Sequence, residues 1–124
     1  MSIIARPSKP THELPVACFT SLATPSRGST ETSVWQVELL PHAPATPHSL
    51  TREEVFVVLE GEVTVALDGT VGVAAAGDAI VVPPGVQVEL CNKTDAPATL
   101  LCCLPVGGQA RLADGTTFIP PWAQ

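Results

Sequence analysis

Three features of the chain predict an all-β fold of the sandwich or barrel type. Apolar and polar residues alternate in short runs, with Trp35, Val37 and Leu39 set against Gln36 and Glu38. That two-residue period marks a half-buried strand. Turn signals separate the runs at short intervals, among them Asp68-Gly69 and Pro83-Pro84-Gly85. The 124 residues also contain 13 prolines and 9 glycines. Proline lacks an N–H and breaks helix interiors, so long helices are not expected.

Taken in order, residues 1–32 read as an N-terminal arm followed by a first strand. Residues 1–15 are rich in Pro, Ser and Thr and are expected to be extended; the strand signal runs over 16–20, and 21–32 is a polar loop. A barrel is expected over 33–104, opening with the alternating strand 34–40. Pro44 and Pro47 make 42–47 irregular or an edge segment, because proline cannot donate to a sheet ladder. Residues 54–59 are dense in Val and Phe and end near Gly61. Val63, Val65 and Leu67 alternate up to Asp68-Gly69, a strong hairpin signal because glycine supplies the positive φ of a tight turn. Strands follow at 71–75, 79–82, 86–91 and 98–104. The tail, 105–124, holds a short strand over 116–119 and is expected to pack on the barrel, giving one domain overall.

Composition excludes several classes of function. With 45% hydrophobic and 15% charged residues the chain reads as globular. Net charge is −6 and no Lys/Arg cluster exists to neutralise phosphates, so no nucleic-acid partner is expected. Nor is a membrane span expected, since Asp78 interrupts the best apolar run, 71–82. Residues 1–15 carry Arg6, Lys9, His12 and Glu13 and no apolar run, which predicts no secretory leader and a cytoplasmic protein. Cys18, Cys91, Cys102 and Cys103 show no CxxC spacing and are expected to be reduced. Cys102 and Cys103 should point to opposite faces of one strand. Cys91 reads as a small buried hydrophobe, and His12 as a solvated residue of the arm.

Residues 42–61 and 77–92 resemble the two signatures of the cupin superfamily. The first family pattern is Gly, five residues, His-x-His, three or four residues, Glu, six residues, Gly. Counting back from Gly61 places Glu54 in the glutamate position, His48 in the first histidine position, Leu50 in the second, and His42 where glycine is expected. The second pattern is Gly, five residues, Pro-x-Gly, two residues, His, three residues, Asn. Gly77, Pro83, Gly85 and Asn92 match it, with Val88 in place of the histidine. The resemblance implies a double-stranded β-helix, a jelly-roll barrel of two antiparallel sheets. It also implies that cupins of this size pair as homodimers, the arm or first strands packing on the second subunit.

In metal-binding cupins these four positions hold a divalent first-row transition metal. Here two of them are alkyl groups with no electron pair to give. If a metal binds, His48 and Glu54 are its ligands, although a stable site normally has three or four. Cys102, Cys103 and His42 are conceivable substitutes, and the cofactor stays open with the balance against a metal. Without metal, His48 and Glu54 are candidate acid–base residues, a carboxylate beside an imidazole holding its tautomer. The plainer alternative is a satisfied polar pair inside the barrel. Leu50, Val88, Phe56 and Val58 would form the apolar walls. Glu53, beside Glu54, belongs on the outer face. Trp35 and Trp122 read as core or interface residues, and Gly85 and Asn92 as turn residues. The leading expectation is a small-molecule-binding protein whose pocket is marked by His48 and Glu54. The alternative is an enzyme: a metal-dependent oxygenase or isomerase with substitute ligands, or a metal-free acid–base isomerase or cyclase.

Overall fold

The computed structural model describes residues 2–124. It contains twelve strands: β1 (His12–Leu14), β2 (Ala17–Ala23), β3 (Thr32–Leu39), β4 (Ser49–Leu50), β5 (Glu54–Glu60), β6 (Glu62–Leu67), β7 (Thr70–Ala75), β8 (Ala79–Val82), β9 (Val88–Cys91), β10 (Ala98–Pro105), β11 (Ala110–Arg111) and β12 (Thr117–Phe118). The two helical pieces, Pro25–Arg27 and Pro121–Ala123, are single 3-10 turns opened by proline. No helix among the described residues is long and apolar enough to cross a membrane.

The strands form an antiparallel jelly roll. One sheet has the order β1-β2-β3-β10-β5-β8. Facing it are two three-stranded pieces, β7-β6-β9 and β12-β11-β4. These are joined where His48 and Val88 exchange backbone hydrogen bonds of 3.1 and 2.7 Å. Alternation sets the register. In β10, Ala98, Leu100, Cys102 and Leu104 are buried while their neighbours are half-exposed. β3 buries Ser33, Trp35, Val37 and Leu39 in the same manner.

Turn chemistry closes the hairpins where the sequence places it. Leu67 pairs with Thr70 across Asp68 (φ +47°) and Gly69 (φ +83°), both in the left-handed region of a type I′ turn. Gly61 (φ +78°) is held for a second reason: a Cβ there would lie 2.7 Å from the Pro97 carbonyl oxygen. Asn92 is more than a turn residue. It is buried, its amide donates to the carbonyls of Leu39, Leu40 and Ala96, and its oxygen accepts from the backbone and hydroxyl of Thr94.

Several boundaries differ from expectation. The arm stops short of residue 12, where β1 pairs with β2 in the register His12 to Phe19; its His-Glu-Leu sequence carries no strand pattern of its own. The first full strand runs on to Ala23, and β9 begins at Val88 instead of residue 86. β11 was not visible in the sequence, because two residues pairing with Leu50 and Ser49 have no periodicity to show. The tail is tied down by hydroxyls: Ser21 Oγ donates to Trp122 O at 2.8 Å and Ser33 Oγ to Ala123 O at 2.7 Å. His12 is part-buried, not simply solvated, its ring edge-on to Trp122 with centroids 6.4 Å apart.

Candidate functional site

The two halves of the jelly roll are filled differently. On the side of β5, β8, β6 and β9, Val58, Val63, Val82, Val88 and Leu100 are all at 0% exposure. On the side of β2, β3, β4, β11 and β12 a cavity of about 410 Å³ remains. One wall comes from Phe19, Trp35, Val37 and Leu39, the other from Leu50, Ala110, Leu112 and Phe118. Its volume is in the range of small-ligand sites.

Among the described residues, three titratable side chains line this cavity: His48, Glu54 and Cys102. Glu54 opens β5, whose alternation turns it inward together with Phe56 and Val58, while Glu53 is exposed on the outer face as expected. It is 3% exposed, and no group among the described residues hydrogen-bonds its carboxyl. Burial alone pushes its pKa up to about 8, because an apolar surrounding disfavours the charged form. Glu54 is therefore a neutral carboxylic acid at pH 7, a hydrogen-bond donor that faces the cavity with no acceptor from the protein among the described residues.

His48 also lines the cavity, but Glu54 does not hold its tautomer. The His48 Nδ1–H donates to the Thr46 carbonyl at 2.8 Å. That bond leaves the lone pair of the neutral ring on Nε2. The irregular segment before β4 thus orients the imidazole, a local contact that spacing could not reveal.

Among the expected wall residues, Leu50 and Phe56 line the cavity. Val58 and Val88 do not; they belong to the filled half of the core. Trp35 is a core wall residue, and Trp122 stacks on Phe19 with ring centroids 3.7 Å apart and planes within 9°. Leu14, Ala17, Phe19, Leu112, Phe118 and Trp122 also form walls; they lie outside the two signatures, and no motif marks them in the sequence.

The donor set does not fit a first-row metal. Positions 48 and 88 are paired across strands and 50 and 54 face the same interior, yet they supply one imidazole and one carboxyl. Among the described residues no three His, Cys, Asp or Glu side chains come together as a metal-holding group. His42, one suggested substitute, is at the surface with its Nε2 2.6 Å from Asp95 Oδ1. It occupies the glycine position of the family pattern with φ +60°, a left-handed conformation in which histidine is enriched among non-glycine residues. Cys102 and Cys103 point to opposite faces as expected: the first is buried in the cavity wall, the second half-buried outside. Burial raises both thiols, and the Glu54 charge adds to it. Cys91 is half-exposed, not buried.

Fold and site together define a small all-β barrel protein with a ligand-sized apolar cavity. The model of the Cupin domain family matches residues 35–104, more than half of the chain, and the chain belongs to that family. No curated protein matches it in sequence. Among solved structures, it is similar to the polyketide cyclase RemF from Streptomyces resistomycificus, with a TM-score of 0.74 and 18% identity over 95% of this chain and 82% of that one. An RmlC-like cupin from Shewanella frigidimarina aligns with a TM-score of 0.63 and 21% identity over 82% and 83%. A salicylate 1,2-dioxygenase from Pseudoaminobacter salicylatoxidans, in complex with gentisate, aligns with a TM-score of 0.64 and 22% identity over 73% of this chain and 25% of that one. At these identities the similarity shows the fold.

Proposed function

We propose that this cupin binds a small, largely apolar molecule in the cavity between β2–β3 and β4–β11–β12, with Glu54 and His48 as its polar contacts. The observation that carries this reading is a buried carboxyl with no protein partner, facing about 410 Å³ of space. Burying a polar group without a hydrogen bond costs roughly 1–3 kcal/mol, a cost that a bound ligand with a matching acceptor offsets. Ligand-observed NMR with a library of neutral, fragment-sized aromatic compounds tests it. Binders should emerge, and an Ala110→Trp variant, whose indole would occupy the cavity, should lose them. Retained binding in that variant would place the site elsewhere.

A second reading, metal-free acid–base catalysis, is favoured by the protonation pattern. A protonated Glu54 can polarise a substrate carbonyl while the His48 Nε2 takes a proton from the adjacent carbon. When Glu54 passes its proton to the carbonyl oxygen as His48 takes the carbon-bound one, the products are an enol, a Glu54 carboxylate and an imidazolium. Return of the imidazolium proton at another carbon and of the enol proton to Glu54 completes an isomerisation or precedes ring closure. The polyketide cyclase among the similar structures makes this the reaction type to assay first.

A further inference from the structure

We infer that the cavity selects for neutral ring compounds that offer a carbonyl oxygen to Glu54 and a hydroxyl hydrogen to His48, over amines and carboxylates of the same shape. The inference rests on the proposed small-molecule site and specifies the charge and hydrogen-bonding class of its ligand.

Three observations converge on it. First, the polar equipment consists of one unpartnered carboxyl and one imidazole whose Nδ1 is already committed to Thr46. The first offers a proton and the second a lone pair, so the complementary ligand carries one acceptor and one donor. Second, no lysine or arginine among the described residues lines the cavity, so a carboxylate or phosphate would be buried without a counter-charge. Third, the faces of Phe19 and Trp122 are turned on each other, which removes part of the aromatic surface a cation would use.

The titratable groups facing Glu54 are few. They are His48 on the β4 side and Cys102 on β10, with Cys103 behind the same strand sensing its charge. None is a lysine or arginine that would keep the carboxyl ionised. At neutral pH an ammonium ligand would first have to displace the proton that burial holds there up to about pH 8.

Four probes of one shape test the inference by NMR titration: acetophenone, ethylbenzene, 1-phenylethylamine and benzoate. Acetophenone should bind more tightly than the amine and the benzoate at pH 7. Glu54→Leu should weaken acetophenone at least fivefold and leave ethylbenzene within twofold. Glu54→Gln keeps an N–H donor and should retain acetophenone. In the unaltered protein acetophenone binding should fall by up to tenfold per pH unit above about pH 8, and in Glu54→Gln it should not. That pH profile needs no folded leucine variant. Tighter binding of 1-phenylethylamine would overturn the inference in favour of a cationic ligand. An equal response of acetophenone and ethylbenzene to Glu54→Leu, with a flat pH profile, would overturn it while leaving the cavity a binding site. If none of the four binds at millimolar concentration, the small-molecule reading falls with it.

Discussion

Glu54→Gln should make this protein more stable, by an amount that grows with pH. A glutamate ordinarily titrates near 4.5, and burial moves Glu54 to about 8. Between those values the folded state holds a proton that the unfolded chain has released, so raising the pH favours unfolding. The stability is fully present below about 4.5 and is lost progressively as the pH rises through about 8. At 1.36 kcal/mol per pH unit the whole loss is about 5 kcal/mol, of which about 3 kcal/mol has gone by pH 7. Glutamine is close in shape and carries no titration, and its amide is as unpartnered as the protonated acid.

The variant and the parent should therefore have similar stabilities near pH 4.5. They should differ by about 3 kcal/mol at pH 7 and by about 5 kcal/mol at pH 9, always with the variant higher. Urea denaturation at the three pH values, followed by tryptophan fluorescence, measures this directly. Taking the difference between the two proteins cancels the contributions of the other titrating groups. A difference that did not change with pH would show that Glu54 is ionised in the fold, and would refute both its assignment as a neutral acid and the ligand class built on it.

Gly61→Ala should lower stability by at least ~2 kcal/mol in a thermal melt, because a left-handed φ and a 2.7 Å approach to the Pro97 carbonyl act together. Asn92→Ala should cost about 3 kcal/mol in the same assay, since its amide and carbonyl tie together the ends of β3 and the 92–96 turn. Protein purified without added metal should contain no stoichiometric metal by plasma emission analysis. The double variant Leu50→His and Val88→His should then gain tight Ni or Zn binding in isothermal titration, against an overpacking cost of ~1–3 kcal/mol at the fully buried Val88. Light scattering should give about twice the 12.9 kDa chain mass, because Val71 (66% exposed) and Val73 (61% exposed) on edge strand β7 leave an apolar margin that a second copy would cover.

The parts of the fold legible in the sequence are those whose information is local. Asp68-Gly69 specifies a type I′ hairpin whatever surrounds it, and the alternation of β3 and β10 assigns their buried faces without knowledge of their partners. β1, β4 and β11 are two or three residues long and exist because a neighbour pairs with them, so nothing in their own residues announces them. The same division runs through the site. The family resemblance that assigns His48, Leu50, Glu54 and Val88 to one interior is carried by short motifs; Leu50, Glu54 and Val88 are buried, and His48 lines the cavity. Which of them meets empty space is decided by packing between sheets: Leu50 lines the cavity, whereas Val88 is enclosed by the filled half of the core.

That packing also decides what Glu54 is. In a cupin with a full set of imidazoles, a cation beside this position would keep the carboxyl ionised and turn it into a ligand. Here Leu50 and Val88 bring neither charge nor hydrogen bonds, and the Nδ1 hydrogen of His48 goes to the Thr46 carbonyl. The carboxyl then has no reason to ionise until the pH reaches about 8. With alkyl groups at positions 50 and 88, Glu54 has no cation beside it from those positions, while the walls supplied by β1, β2 and the tail keep space open in front of it. The proposed ligand class follows from this contrast: a carboxyl that burial keeps protonated calls for an acceptor such as a carbonyl oxygen, where an ionised one would call for a cation.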